Sequence, residues 1–138
     1  MSDDFYRALE DRFRGSRDLI RKRVEVYLPF ITPLIGHYPK ATLLDLGCGR
    51  GEWLEIAADH GFLARGIDLD AAMLAASIEH GCDVVQGEAL SVLASLPDES
   101  VTVISAIHVV EHIGFDQLRE LVAAAYRVLL PGGVLIME

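Results

Sequence analysis

The 138-residue chain has the length of one domain, and its 51% hydrophobic content is enough for a buried core. Twelve Lys and Arg against twenty-one Asp and Glu leave a net charge of −9. That balance argues against nucleic acid as a partner, because such affinity comes largely from cations on phosphates. Uncharged apolar stretches such as Val101–Val110 are too short to span a bilayer, so no transmembrane segment is expected.

The charge is unevenly placed. Residues 1–40 hold eight of the basic and six of the acidic side chains, a net of +2, whereas residues 41–138 hold four and fifteen, a net of −11. The start, Met1-Ser2-Asp3-Asp4, has neither the basic nor the apolar region of a secretory leader, so a cytoplasmic location is expected. Cys48 and Cys82 are the only cysteines. Their spacing matches no metal motif, and free thiols are expected.

Residues 1–38 read as a helical arm. Phe5, Leu9 and Phe13 recur at helical spacing, Gly15 interrupts, and Ser16 is placed as an N-cap. Ile20, Val24, Tyr27, Ile31 and Leu34 continue an apolar stripe that Pro29 and Pro33 should kink or split. Residues 39–138 then alternate. Strands are predicted over 41–46, 63–68, 83–87, 101–107 and 134–137. Helices are predicted over 52–60 (inward through Leu54, Ala57 and Ala58), over 71–80, briefly up to Ala94, and from Phe115. The last should bury Leu118, Leu121, Val122, Ala125 and Leu129 and stop at Pro131-Gly132-Gly133. The fold class is therefore α/β, a doubly wound, mostly parallel Rossmann-like sheet with the arm lying over it.

Between the first strand and its helix runs Leu44-Asp45-Leu46-Gly47-Cys48-Gly49-Arg50-Gly51. Glycines at alternate positions leave no side chains between backbone and ligand, and such a loop at a helix start can present several N–H donors. Seventeen residues after Gly51 the second strand ends in Asp68, the arrangement by which α/β sheets hold adenosine-bearing cofactors. The dinucleotide spacing fails, because its third glycine would have to stand at Glu52, where a carboxylate would meet a pyrophosphate. A phosphate-loop motif fails as well, since no Gly-Lys-Ser/Thr follows.

The pattern D-x-G-x-G-x-G resembles motif I of the class I S-adenosylmethionine-dependent methyltransferases. That cofactor carries an ammonium, a carboxylate and a sulfonium but no phosphate, so nearby carboxylates attract it. The resemblance implies S-adenosyl-L-methionine as cofactor and S-adenosyl-L-homocysteine as product. It implies that Asp45 bonds the ammonium, that the backbone of Gly47, Cys48 and Gly49 lines the methionine moiety, and that Gly51 also belongs to the cofactor-binding loop. Asp68 would accept the ribose hydroxyls, Leu69 would pack on adenine, and Glu88 with Ala89 would meet its edge. Asp70 is the better cap for the helix that follows Asp68. His108, Glu111 and His112, after the fourth strand, would carry the chemistry on an oxygen acceptor, with His108 also touching the cofactor. Some relatives hold a divalent metal through Glu-x-x-Glu-His here; this chain has His108-x-x-Glu111-His112, and no metal is assigned.

The family sheet has seven strands. The five found here imply a domain truncated after the fifth. The segments Phe5–Arg17 and Val26–Phe30, with Gly51–Glu55, resemble a bacterial subgroup whose methyltransferase domains accompany glycosyltransferases and polysaccharide assembly. That implies a small-molecule or glycan acceptor and association with glycosyltransferase machinery. Trp53 could stack on a pyranose, but a single Trp on a helix is more often a core residue. Two other readings stay open: a non-catalytic module that keeps the cofactor fold as a scaffold, and a dehydrogenase-type NAD domain.

Overall fold

In the computed structural model, Phe5, Ala8 and residues 15–138 are described; Leu9 and Phe13 lie outside them. Ser16 opens α1 (Arg17–Val24) by accepting the Leu19 N–H at 3.2 Å. Asp18 in its first turn and Arg21, Lys22 and Arg23 in its last complement the helix dipole. Pro29 falls in the first turn of α2 (Leu28–Ile31) and Pro33 in that of the 3-10 turn Thr32–Leu34, where a missing N–H leaves no bond unmade. The expected apolar stripe is present: Val24 and Ile31 are buried, and Ile20, Tyr27 and Leu34 are half-buried.

The alternation follows as β1 (Thr42–Leu46), α3 (Glu52–Asp59), β2 (Leu63–Asp68), α4 (Ala71–Glu79), β3 (Asp83–Gln86), α5 (Ala89–Ser95), β4 (Val101–Ala106), α6 (Phe115–Val128) and β5 (Leu129–Met137). The strands form one parallel sheet in the order β3-β2-β1-β4-β5. Winding reverses between β1 and β4, and such a reversal opens a crevice beyond the strand ends. Every residue of β4 is buried, as its continuous apolar run requires in a sheet covered on both faces. Leu43 packs in one core layer with Val24, Ile31, Leu54 and Ile56; its neighbour Leu44 packs in the other with Leu93, Ile104, Leu121 and Val128. That division is the two-residue strand period.

Three details differ from the sequence expectations. Ala58 is exposed; the inward face of α3 is Trp53, Leu54, Ile56 and Ala57. Val122 is 39% exposed, on the solvent side of α6. Pro131-Gly132-Gly133 does not stop α6, which ends at Val128; Leu129 is already extended (ψ 137°). The three residues lie inside β5, where its register against β4 slips between Val101 and Val103. A Cβ at Gly133 would stand 2.8 Å from Thr102 O, so the close approach of these strands is what uses glycine there. Among the described residues, no helix is long and apolar enough to cross a membrane.

Gly66, in the middle of β2, leaves room for the glycine loop. A Cβ there would stand 2.5 Å from both Cys48 Sγ and Leu54 Cδ1. Gly66→Ala is expected to destabilise the protein by about 1–3 kcal/mol through overpacking. A lowered urea midpoint with an unchanged slope would show it; an unchanged midpoint would mean that the loop rests elsewhere.

Candidate active site

The site lies where β1 and β4 diverge. Asp45 of β1 pairs across the sheet with Gly66 on one side and Ser105 on the other. The chain then turns into α3 through Gly47, Gly49 and Gly51, all with positive φ. At Gly47 (φ 71°) a Cβ would also stand 2.6 Å from Val109 Cγ2, so both backbone angle and space exclude a side chain.

The expectation of a cradle of free N–H donors does not hold. The Gly47 and Cys48 N–H groups both donate to Ile67 O, at 2.7 and 3.0 Å, and the Gly51 N–H donates to Cys48 O at 3.1 Å. The Gly49 N–H donates to Asp68 Oδ2 at 2.8 Å. Buried backbone donors must be satisfied, and here the end of β2 satisfies most of them. The loop offers a bare wall held against β2.

Asp45 is 3% exposed. Its Oδ1 accepts the Ser105 hydroxyl at 2.8 Å, and Ser105 Oγ accepts the Trp53 indole N–H at 3.0 Å. Trp53 is thus a core residue and the end of a buried polar chain. Burial pushes the Asp45 carboxyl up to about 7; the Ser105 bond lowers it, and the Asp68 and Glu52 carboxylates add to the rise. Glu52 is buried beside Arg50, whose Nε lies 3.0 Å from Glu52 Oε1. Burial raises both cysteine thiols, so neither is a reactive thiolate.

A cavity of about 660 Å³ opens in front of this wall. The sheet side contributes Asp45, Gly47, Cys48, Glu52, Trp53 and Ile107; the arm contributes Ile20, Arg23, Val24, Val26 and Tyr27; His108, Glu111 and Glu138 close the rim. The arm is fastened over it: Arg17 donates to Arg50 O at 2.9 Å and pairs with Glu55, and Arg21 pairs with Glu55 and Asp59. Tyr27 meets Trp53 edge-on, with ring centroids 6.1 Å apart, and its hydroxyl bonds Glu138. A second cavity, about 630 Å³, opens near Thr42, Leu63 and Val101, at the opposite ends of the strands. It lies away from the glycine loop.

His108 has a left-handed backbone (φ 58°), a conformation a non-glycine residue keeps only when its surroundings enforce it. Its ring lies within 4 Å of both Glu111 and Glu138, and His112 lies within 4 Å of Glu111. All four side chains are substantially exposed. Among the described residues, no three His, Cys, Asp or Glu side chains converge as a metal site.

The structure therefore brings Asp45, Gly47, Cys48, His108 and Glu111 to one cavity. Asp68 and Gly49 are not among that lining; Asp68 accepts the loop's Gly49 N–H, and its Oδ1 accepts the Asp70 N–H at 2.9 Å. Asp70 caps α4, as expected, and Leu69 beside it is 67% exposed. Gly51 is the left-handed N-cap of α3, behind the wall, where a Cβ would meet Cys82 Sγ and Ser77 Oγ at 2.9 Å. Glu88 N-caps α5, which begins at Ala89. The Leu90 and Ser91 N–H groups hold its carboxyl below the ordinary value. His112 stays at the outer rim, 72% exposed. Ser105, Arg23 and Glu138 belong to the site without any motif to mark them. Only the strand register and the path of the arm bring them in.

Three comparisons bear on this arrangement. A curated relative of Mycolicibacterium smegmatis, named a probable S-adenosylmethionine-dependent methyltransferase, is 34% identical over 98 residues, covering 70% of this chain and 37% of its own length. The ubiquinone biosynthesis O-methyltransferase of Pseudomonas entomophila is 32% identical over 96 residues, covering 66% and 40%. The chain thus spans well under half the length of these relatives. Among solved structures, a SAM-dependent methyltransferase from Archaeoglobus fulgidus superimposes with a TM-score of 0.84 at 32% identity, covering 95% of this chain and 56% of the other. The family model described as a methyltransferase domain matches residues 44–137, from the strand that carries Asp45 to the end of β5. By that match the chain belongs to the methyltransferase-domain family.

Proposed function

We propose that this chain forms the S-adenosyl-L-methionine-binding core of an enzyme that methylates an oxygen of a small molecule or glycan. The observation that carries the reading is the character of the cavity: a buried Asp45 carboxylate faces a side-chain-free loop whose N–H groups are already engaged. A phosphate would find acid and few donors there; a cationic amino-acid end finds a counter-charge. This disfavours the NAD reading more firmly than glycine spacing alone. Glu52 adds to the same effect from within the wall.

When bound, the cofactor supplies an electrophilic methyl on sulfur. In this reading Asp45 holds the ammonium, Gly47, Cys48 and Gly49 give the methionine portion clearance, and Gly51 sets the turn. Asp68 orients the ribose, while Leu69, Glu88 and Ala89 flank the adenine. Displacement at a methyl is governed mainly by alignment, so these residues act chiefly by positioning. His108 takes the proton of the acceptor hydroxyl, with Glu111 steadying its ring and His112 serving the outer rim. The glycan acceptor, and a setting beside glycosyltransferases, rest on the resemblance of the arm.

Isothermal titration tests the core of the proposal. S-adenosyl-L-homocysteine is expected to bind and NAD to give no heat; the reverse result would sink it. Methyl release with bacterial glycan extract, followed with labelled cofactor, then tests the acceptor class.

A further inference from the structure

Two of the six side chains in the buried strand β4 are polar, Thr102 and Ser105. A buried hydroxyl is costly unless it is bonded. Thr102 serves the strand pair, where its hydroxyl accepts the Thr42 N–H at 3.1 Å. Ser105 is turned to the site. It lies opposite Asp45 across β1 and β4, and its hydroxyl has two partners, the Trp53 indole at 3.0 Å and Asp45 Oδ1 at 2.8 Å. An indole N–H can only donate, so Ser105 Oγ accepts it, and the single hydroxyl proton is left for Asp45. Trp53 thereby fixes the direction of the Ser105 hydroxyl. With Oδ1 taken, Oδ2 is the oxygen that Asp45 has left for the cavity it lines.

From this chain of bonds we infer that Ser105 is a positioning residue: its hydroxyl, aimed by the Trp53 indole, fixes the Asp45 carboxylate so that Oδ2 meets the ammonium of the cofactor. The inference rests on the proposed cofactor. Ser105 is not among the residues that line the cavity, so it acts through Asp45 and not on the ligand. The bond has a second effect. Burial raises the Asp45 carboxyl, and the Ser105 hydroxyl opposes that rise by favouring the charged form, while Asp68 and Glu52 add to it. Cys48 lies in the same field, and Arg23, His108, Glu111 and Glu138 line the cavity with Asp45. All of these groups are common to the parent protein and a Ser105 variant, so the difference between the two reads Ser105.

Calorimetric titration with two ligands at pH 6, 7 and 8 tests it: S-adenosyl-L-homocysteine, and 5′-methylthioadenosine, which has no ammonium. Ser105→Ala is expected to weaken S-adenosyl-L-homocysteine about tenfold at pH 7, the loss of one charge-assisted bond behind the contact. The pH-dependent rise in its affinity should move upward. Binding of 5′-methylthioadenosine should match that of the parent at every pH. Ser105→Thr, which keeps a hydroxyl, should restore both affinity and pH profile. Alanine also leaves the Trp53 N–H without an acceptor, so Trp53→Phe is the second variant should Ser105→Ala not fold. It removes the donor that aims the hydroxyl, and the S-adenosyl-L-homocysteine profile should move the same way by a smaller step. Equal losses for both ligands with an unmoved profile would show that Ser105 only supports the strand pair and would overturn the inference. So would unchanged affinity for S-adenosyl-L-homocysteine in Ser105→Ala. If the parent protein bound 5′-methylthioadenosine but not S-adenosyl-L-homocysteine, the ammonium contact and this inference would fall while the adenosine site stood. If it bound neither, the cofactor reading would fall first and take the inference with it.

Discussion

Asp68→Ala is expected to raise the Kd for S-adenosyl-L-homocysteine by at least about a hundredfold, the loss of two hydrogen bonds to a charged acceptor at about 1.5–3 kcal/mol each. The fold should survive. Asp68 closes β2 at a half-buried position, and its removal opens no core cavity. The structure adds a second consequence. Asp68 also receives the Gly49 and Asp70 N–H groups, at 2.8 and 2.9 Å, so the alanine variant releases the glycine loop from β2. Water can replace these partners at a half-buried position, and the stability loss should be about 1 kcal/mol. Asp68→Asn separates the two roles. Its carbonyl oxygen can still accept one loop N–H, while the charge is gone, so affinity should fall by an intermediate factor with a nearly unchanged urea midpoint. Calorimetry showing full affinity in Asp68→Ala would eliminate the ribose assignment.

What the amino-acid order disclosed, and what it hid, divides along a physical line. Local signals were legible. Apolar runs bounded by glycine and charge placed β1 to β4 within a residue or two, and Ser16 and Asp70 capped α1 and α4 as their side chains allow. The glycine loop and Asp68 stood out because steric demands at a tight turn narrow the choice of residue. Register and packing were not legible. Ser105 looks like any small residue in an apolar strand until β1 and β4 pair and set it against Asp45. Arg23 and Tyr27 reach the cavity only because the arm is fastened down by Arg17 and Arg21. The loop N–H groups read as free donors because their acceptors, Ile67 O and Asp68, lie on another strand. Pro131-Gly132-Gly133 carries a strong helix-stop signal, yet Leu129 had already turned extended to pair with Val101. In that stretch pairing with β4 outweighed the local preference.

Asp45→Asn should make the protein without ligand more stable at pH 8 and a weaker binder of S-adenosyl-L-homocysteine. The sign follows from linkage. The Asp45 carboxyl rises from an ordinary 3.8 to about 7 in the folded chain, chiefly through burial. Between those values the folded state holds a proton that the unfolded state has lost, so this group's contribution to stability declines as pH rises and levels off above about 7. The burden at pH 8 is on the order of a few kcal/mol. Asparagine does not titrate, and its carbonyl oxygen can keep the Ser105 hydroxyl bond. Urea midpoints of parent and variant should therefore diverge at pH 8 and converge toward pH 4. Binding should show the opposite sense. In the parent, affinity should rise from pH 6 to pH 8 as Asp45 ionises opposite the ligand ammonium, which stays charged over most of that range. In the variant that pH dependence should vanish, with a Kd raised at pH 8 by roughly ten- to a hundredfold for the lost charge-assisted bond. A variant less stable than the parent at pH 8, together with a pH-independent parent Kd, would show that Asp45 is a structural acid with no ligand to meet. The expected pattern would instead mean that the fold keeps an unfavourable buried carboxylate at the loop because a bound cation relieves it.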